Sequence, residues 1–387
     1  MNGTVRQRGS TWSYRIDLGI ENGKRKQKEK GGFESSKDAK TAMKLAIAEL
    51  IKNGKIKENK KITLQEVFDE FILYEAPITR KYATIVRYQS LYNNHINELG
   101  GYIAGEINAS MLQSFIAERI TKHNLSKDYT KSIYNLLLVL WNYMHGKEYI
   151  INNIIKNVKP PKEYRSMDDI KTYTIEEIKL IWERINNTKN ATAFMLAFKL
   201  GLRCGEIYAL RWSDISFENN TVNICKQLQC QNKKWCFTTL KTPNSYRKIK
   251  LDEKLKEYLL SLKDQQLQDK EFFEDVYKTN KLIDKSGKEE LVIDVDDLIN
   301  VKNDGEMLNT NSPKVISRIC KSDLNIEFKM HNLRHTHATM LLEKGLNPKY
   351  VSERLGHSKL DFTLKLYTHI TISMDEQAVE ALNFSID

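Results

Sequence analysis

The chain has 387 residues, 41% hydrophobic and 29% charged, a balance that excludes a disordered polypeptide and places it among globular proteins. Single cores stop growing near this length, so two or three domains are expected. No run reaches the roughly 18 apolar residues of a membrane span, and the formal net charge of +11 favours a polyanionic partner, because each phosphate neutralised by Lys or Arg releases condensed counterions. The N-terminus MNGTVRQRGSTWSYR lacks an apolar signal region, so the expected location is the cytoplasm, with no membrane association. Cys204, Cys225, Cys230, Cys236 and Cys320 include no CxxC pair, which argues for reduced structural thiols rather than disulfides or a zinc ribbon.

Residues 1–55 read as a small strand module followed by a helix. Trp12, Tyr14 and Ile16 alternate with polar residues, Asn22-Gly23 supplies a hairpin turn, and a Lys-rich strand carrying Lys24, Arg25 and Lys26 follows. In SSKDAKTAMKLAIAELIKNG, Ser35 or Ser36 is the N-cap and Ala42, Leu45, Ala46 and Leu50 form the apolar stripe. The basic strand face is open to two readings, a solvated hairpin or a surface that enters a DNA groove.

After the polar linker IKENKKI, residues 62–160 are helical. Thr63 caps LQEVFDEFILYEA, and further helical patterns cover 79–96, 109–122 and 127–146. The 79–96 helix carries Arg80, Lys81 and Arg87 among tyrosines and reads either as a DNA-facing helix or as a bundle helix with a solvated basic edge. Pro160-Pro161 sits in the clearest linker, and a third domain covers 170–387. It opens with a capping box, Thr174 and Glu177, continues with the fully apolar helix ATAFMLAFKLGL, and then shows three strand candidates, VNICKQLQ, KWCFTTLKT and YRKIKL. The stretch 252–328 is mixed and acidic, and the sequence assigns no role to 263–307.

Three polar stretches of this domain carry chemistry. Arg203 and Glu206 lie three apart at a helix start and can pair. Helical spacing puts His331, Arg334 and His335 on one face, with His337 off it as a packing or surface residue. His357 follows Gly356, and Tyr367 lies ten residues further on. Paired Arg forks suit the non-bridging oxygens of a phosphodiester, a tyrosine can hold phosphorus as a covalent ester, and a Lys or His can protonate a leaving 5′ oxygen. An HxxxH zinc pair is the competing reading of His331 and His335, but Arg334 stands between the two and no Glu follows the first His, so no metal and no other cofactor is expected.

Taken together, GLRCGEIYALRW, HNLRHTHATMLLEKG, LGHS and LYTH resemble, in order, the active-site boxes of tyrosine recombinases of the phage-integrase type, including integrases of conjugative transposons. The resemblance spans nearly the whole chain, and its specificity rests on these boxes. It implies a small N-terminal α+β module of three strands plus a helix that binds arm-type DNA sites, an all-α core-binding domain of SAM-like type, and a mainly α catalytic domain with a small antiparallel sheet. It assigns the scissile phosphate to Arg203 and Arg334, the nucleophile to Tyr367, assistance to His331, a phosphate hydrogen bond to His357, support to Glu206 and His335, and general acid chemistry to a β-hairpin lysine, here Lys241. Trp12, Tyr14, Lys24, Arg25, Lys26, Arg80, Lys81 and Arg87 become the DNA-contacting candidates. The implied partners are double-stranded DNA with core and arm-type attachment sites, three further copies in a tetramer on DNA, an excisionase and a host DNA-bending protein, at the bacterial nucleoid. Within the same chemistry, a type IB topoisomerase or a chromosome-dimer resolvase competes with this reading. A DNA-binding regulator without catalysis and a metal-dependent nuclease compete from other classes.

Overall fold

The computed structural model describes residues 3–21, 24–52, 60–162, 171–287 and 289–357. The chain divides into two compact units, Met1–Tyr164 and Arg165–Asp387.

The first unit begins with an antiparallel sheet of β1 (Gly3–Arg8), β2 (Thr11–Glu21) and β3 (Lys24–Phe33) in that order, followed by α1 (Ser36–Lys52). Strand β1 reads GTVRQR and gives no apolar alternation, yet it pairs along its whole length with β2, Val5 opposite Tyr14. Glu21 pairs with Lys24, and the expected turn Asn22-Gly23 lies outside the described residues. Ser35 accepts a hydrogen bond from the Asp38 N–H and so caps α1. The buried stripe of that helix is Ala39, Met43 and Leu50, packed on Tyr14 and Ile16. Leu45, expected on that stripe, is 69% exposed, because a helix advances about 100° per residue and the stripe through 39, 43 and 50 leaves 45 on the far side. Tyr14 also departs from expectation. It is 3% exposed and stacked on Phe33 at 5.7 Å, so it is a core residue and not a DNA contact.

In the rest of this unit Thr63 and Glu66 form a reciprocal capping box that starts α2 (Leu64–Glu70). A π-helical turn (Phe71–Glu75), α3 (Ala76–Thr79), α4 (Tyr82–Leu91), a second π-helical turn (Tyr92–Ile96), α5 (Ala109–Thr121) and α6 (Lys127–Gly146) follow. Their apolar faces meet in a core that includes Phe68, Tyr92, Leu112, Leu136, Leu140 and Trp141, with the Phe68 and Tyr92 rings stacked at 3.8 Å. Arg119 is buried in this unit and pairs with Glu98, while the phenols of Tyr143 and Tyr149 both donate to Glu70.

The second unit starts with α7 (Ile175–Ile185), capped by Thr174 with Glu177 bonding back, and α8 (Ala191–Leu200), whose apolar sides are buried. Then come α9 (Cys204–Ala209), β4 (Ile215–Ser216), β5 (Thr221–Ile224), β6 (Gln227–Gln231), β7 (Lys234–Thr238), β8 (Arg247–Lys250), α10 (Glu253–Phe273), β9 (Asn280–Lys285) and β10 (Leu291–Val295). The stretch VNICKQLQ, expected as one strand, is two. Strand β5 belongs to a sheet ordered β4-β5-β8 and β6 to a separate sheet ordered β10-β9-β7-β6, so the chain changes sheets at Cys225-Lys226. The acidic 263–307 segment supplies the end of α10 and the β9-β10 hairpin, and β9 adds in parallel to β7, with Lys226 paired to Asp284 at 2.7 Å. Helices α11 (Lys314–Asp323), α12 (Met330–Glu343) and α13 (Pro348–Leu355) complete the described part. Residues beyond His357, which include Tyr367, lie outside it. No helix of the described residues is long and apolar enough to cross a membrane.

Candidate active site

Arg203 occupies the N-cap of α9, two residues after the left-handed Gly201 that ends α8. The Glu206 side chain accepts from the Arg203 N–H at 2.9 Å, and Glu206 Oε1 accepts from Arg203 Nη1 at 2.8 Å, so one carboxylate both closes the helix end and orients the guanidinium. Glu206 is 2% exposed. Burial opposes its ionisation, but Arg247 and Arg203 outweigh burial and hold its pKa below the usual carboxylate range.

Arg334, on α12, is 2% exposed. Its Nη1 donates to the Gly201 carbonyl and its Nη2 to the Leu355 carbonyl, both at 2.6 Å. Arg203 Nη2 donates to the next carbonyl, Gly356, at 2.7 Å. Arg247, the first residue of β8, donates from Nε to the preceding one, Arg354, at 2.8 Å. Three arginines from three elements thus take three consecutive carbonyls at the C-terminal end of α13, where helix carbonyls have no intrahelical partner and the dipole favours cations.

Two glycines permit this close approach. Gly356 has φ +68°, and a Cβ there would lie 2.9 Å from both the Asn244 carbonyl oxygen and Ser245 Cα; at Gly201, with φ +64°, it would lie 2.5 Å from Leu355 Cδ2. His357 follows at once, with its N–H bonded to the Ser352 carbonyl, so its backbone is tied to the same helix end whose later carbonyls receive the arginines.

His331 and His335 stack edge to face at 4.6 Å one turn apart on α12. Desolvation first, then Arg334 and Arg203, lowers the pKa of His331 even though the residue is exposed. His335 is driven down to about 4 by burial, His331 and Arg334, and His357 to about 3 by burial, Arg334 and Arg203, so all three rings are neutral at pH 7. His337 is 7% exposed and is more than a bystander: Nδ1 contacts the Phe198 carbonyl at 2.8 Å, and Nε2 accepts from Arg354 Nε at 3.3 Å. Only the neutral tautomer with its proton on Nδ1 satisfies both bonds. Burial, followed by Arg354, brings its pKa to about 4.

The sign of the linked pH effect follows. A histidine kept neutral in the fold stabilises it fully above pH 6.5, and that contribution fades as pH falls toward the depressed value. His337 alone should cost about 3 kcal/mol by pH 4. The melting midpoint of the second unit should therefore drop between pH 7 and 4.5, and His337→Asn should show a shallower drop. Equal pH slopes in the two proteins would refute this.

Lys241 is exposed and sits in the loop between β7 and β8, not in a hairpin turn as the family pattern suggests; the β6-β7 turn holds Asn232-Lys233 instead. The reason is the change of sheet, which separates β7 from β8. The loop still reaches the arginines, because Thr242 Oγ1 and Ser245 Oγ are 3.0 Å apart and Arg203 Nη1 points at Ser245 Oγ at 3.5 Å. The sequence reading passes over Arg247. Its signal was an arginine at the start of the segment YRKIKL, two residues after the polar PNS turn. No group of three metal-ligating side chains occurs among the described residues, and burial pushes the Cys204, Cys225 and Cys320 thiols up to about 11.

The profile of the phage integrase family matches residues 171–374, and that of an arm DNA-binding domain matches residues 4–50. The chain belongs to the phage integrase family. It is a tyrosine recombinase, 29% identical over 96% of its length to a XerC-like tyrosine recombinase of Caldanaerobacter subterraneus subsp. tengcongensis, of which 95% is covered. The integrase of Staphylococcus phage L54a is 24% identical, over 87% of this chain and 97% of that one. In fold it resembles the Tn1549 transposon integrase in complex with transposon right-end DNA, with a TM-score of 0.66, 18% identity and coverage of 84% of this chain and 100% of that chain. It also resembles a lambda integrase tetramer bound to a Holliday junction, with a TM-score of 0.57, 18% identity and 94% of each chain covered.

Among the remaining DNA-contact candidates of the recombinase, Trp12 is half-buried on β2, Lys24, Arg25 and Lys26 lie on β3, and Arg80, Lys81 and Arg87 are exposed in the helical part, with Arg87 Nη2 bonded to Ser132 Oγ at 2.7 Å. The strand module also gathers Arg6, Arg8 and Arg15 around Glu29. Hydrogen bonds from Arg6 and then Arg15 hold that carboxyl down to about 2.

Proposed function

We propose that this tyrosine recombinase cleaves and rejoins DNA at specific attachment sites through a 3′-phosphotyrosyl link, integrating and excising a mobile element. One observation carries the reading: Arg203 and Arg247 share a single buried carboxylate, Glu206, and the buried Arg334 lies within its electrostatic reach, leaving three guanidinium charges against one carboxylate. A buried cation excess is costly unless an anion fills it, and a phosphodiester has the planar oxygen pairs that Arg forks bind. Arg334 uses two of its five N–H donors on protein carbonyls, so three remain to be turned toward a phosphate.

In the proposed reaction Tyr367 Oη attacks phosphorus, the bond to the 5′ oxygen breaks, and Lys241 supplies the proton that the departing 5′ hydroxyl needs. Neutral His331 accepts the proton of the tyrosine, and His357 donates a hydrogen bond to a non-bridging oxygen. The arginine charges stabilise the pentavalent state without reorganising. Attack by a 5′ hydroxyl of a second duplex reverses the step and joins new partners. The bond energy is conserved, so neither a nucleotide nor a metal ion enters the balance.

Residues 1–55 are assigned to arm-type sites, 62–160 to the core site and 170–387 to catalysis. The matched arm DNA-binding profile supports the first of these assignments and favours an integrase over a topoisomerase or a dimer resolvase. A tetramer on DNA, an excisionase and a host bending protein complete the proposed assembly at the nucleoid.

Arg203→Ala tests the site. It should reduce cleavage by at least about 10²-fold, the scale of one lost transition-state donor, while leaving DNA affinity nearly unchanged. A gel shift run beside a cleavage assay measures both, and unaltered cleavage would remove Arg203 from the site.

A further inference from the structure

Counting donors separates the three arginines. Arg247 Nη2 donates to Glu206 Oε2 at 2.9 Å and Nη1 to Glu206 Oε1 at 3.2 Å; Nη1 also donates to the Ser245 carbonyl at 2.8 Å and Nε to the Arg354 carbonyl at 2.8 Å. Four of its five donors are thereby engaged in the protein, against two for Arg334. Its side chain is 6% exposed. It has little left with which to bind an external anion, but it joins the parts that do. Glu206 orients Arg203, the Ser245 turn follows Lys241 and Thr242, and the Arg354 carbonyl begins the row on which Arg334 and Arg203 rest and from which His357 emerges.

We propose that Arg247 is a positioning residue for strand cleavage, locking the Glu206 carboxylate and the end of α13 in one register so that Arg203, Arg334 and His357 reach the phosphate together. A lysine in its place keeps the charge and nearly the volume, yet it cannot bridge both carboxylate oxygens and the Arg354 carbonyl, because its donors radiate from one atom. The proposal rests on the recombinase reading above.

The test uses the full chain and a nicked suicide duplex built from the DNA flanking the gene. For Arg247→Lys we expect the rate of covalent capture at saturating DNA to fall by about 10- to 100-fold, the scale of a small misplacement at a reacting centre, with the gel-shift Kd within about threefold of wild type. A residue important only for folding would instead lower the active fraction and leave the rate of the remainder unchanged. Glu206→Asp, whose shorter arm cannot span Arg203 and Arg247, should show the same split, and the double variant should be no slower than the slower single one, since both break one unit. Wild-type capture rates in Arg247→Lys, or losses that multiply in the double variant, would overturn the proposal. Should Arg247→Lys melt below the assay temperature, a wild-type rate in Glu206→Asp overturns it equally. Failure of the wild-type chain to form any covalent complex is a different result and sinks the recombinase reading instead.

Discussion

Tyr367→Phe should abolish covalent capture of DNA while leaving DNA affinity intact. The substitution removes one oxygen and keeps the ring, so the side chain changes little in volume, while the atom that must bond phosphorus is gone. No neighbouring group can replace it in the proposed geometry. His357 and His331 are neutral bases held near two guanidinium groups, and a phosphohistidine would lack the leaving-group match to a 5′ hydroxyl that makes rejoining nearly isoenergetic. The measurement is denaturing electrophoresis of protein and labelled suicide duplex, where wild type gives a shifted band and Tyr367→Phe none. A band that persists in Tyr367→Phe would move the nucleophile elsewhere. A regulator without catalysis would give no band in either protein, and a metal-dependent nuclease would give cleavage without a covalent product that stops in EDTA.

Arg334→Ala should act on catalysis and folding together. Among the described residues only Trp141 is a larger fully buried side chain, and the removal of Arg334 leaves the Gly201 and Leu355 carbonyls without donors beside a new cavity. Loss of one member of a buried charged network costs about 3–5 kcal/mol, which for a unit of this size lowers the melting midpoint by roughly 6–20 °C. Arg334→Lys separates the two effects. It retains a cation and most of the volume but not the fork, so it should melt much closer to wild type and still cleave at least about 10²-fold more slowly. Calorimetry beside single-turnover cleavage reads both quantities. Rapid cleavage by Arg334→Lys would show that a point charge suffices and that the bidentate fork has no part in the chemistry.

The local rules of the chain were legible wherever a single element decides the outcome. The cap at Thr63, the capping box at Thr174, the buried α8 and the span of α6 all follow from spacing and cap chemistry, which act within one or two turns. Residue patterns were silent or misleading where a partner element decides. Strand β1 has no apolar signature and exists because β2 offers it a ladder, Tyr14 faces α1 instead of a groove, and VNICKQLQ breaks because its two halves pair with different strands.

For the site, the sequence by itself determined the chemical types: two box arginines, the pair Arg203-Glu206, a histidine turn on α12, a glycine before His357, and a tyrosine ten residues beyond. These are short-range patterns of side chains that a phosphate chemistry requires, and they survive without coordinates. Only the tertiary structure decided that Arg247 shares Glu206, that His337 braces α8 against Arg354, and that the carbonyls of 354, 355 and 356 each receive a different arginine. Those bonds span sequence separations from 17 to 153 residues. No periodicity reports a contact at that range, because it is set by how α9, β8, α12 and α13 pack around one buried helix end.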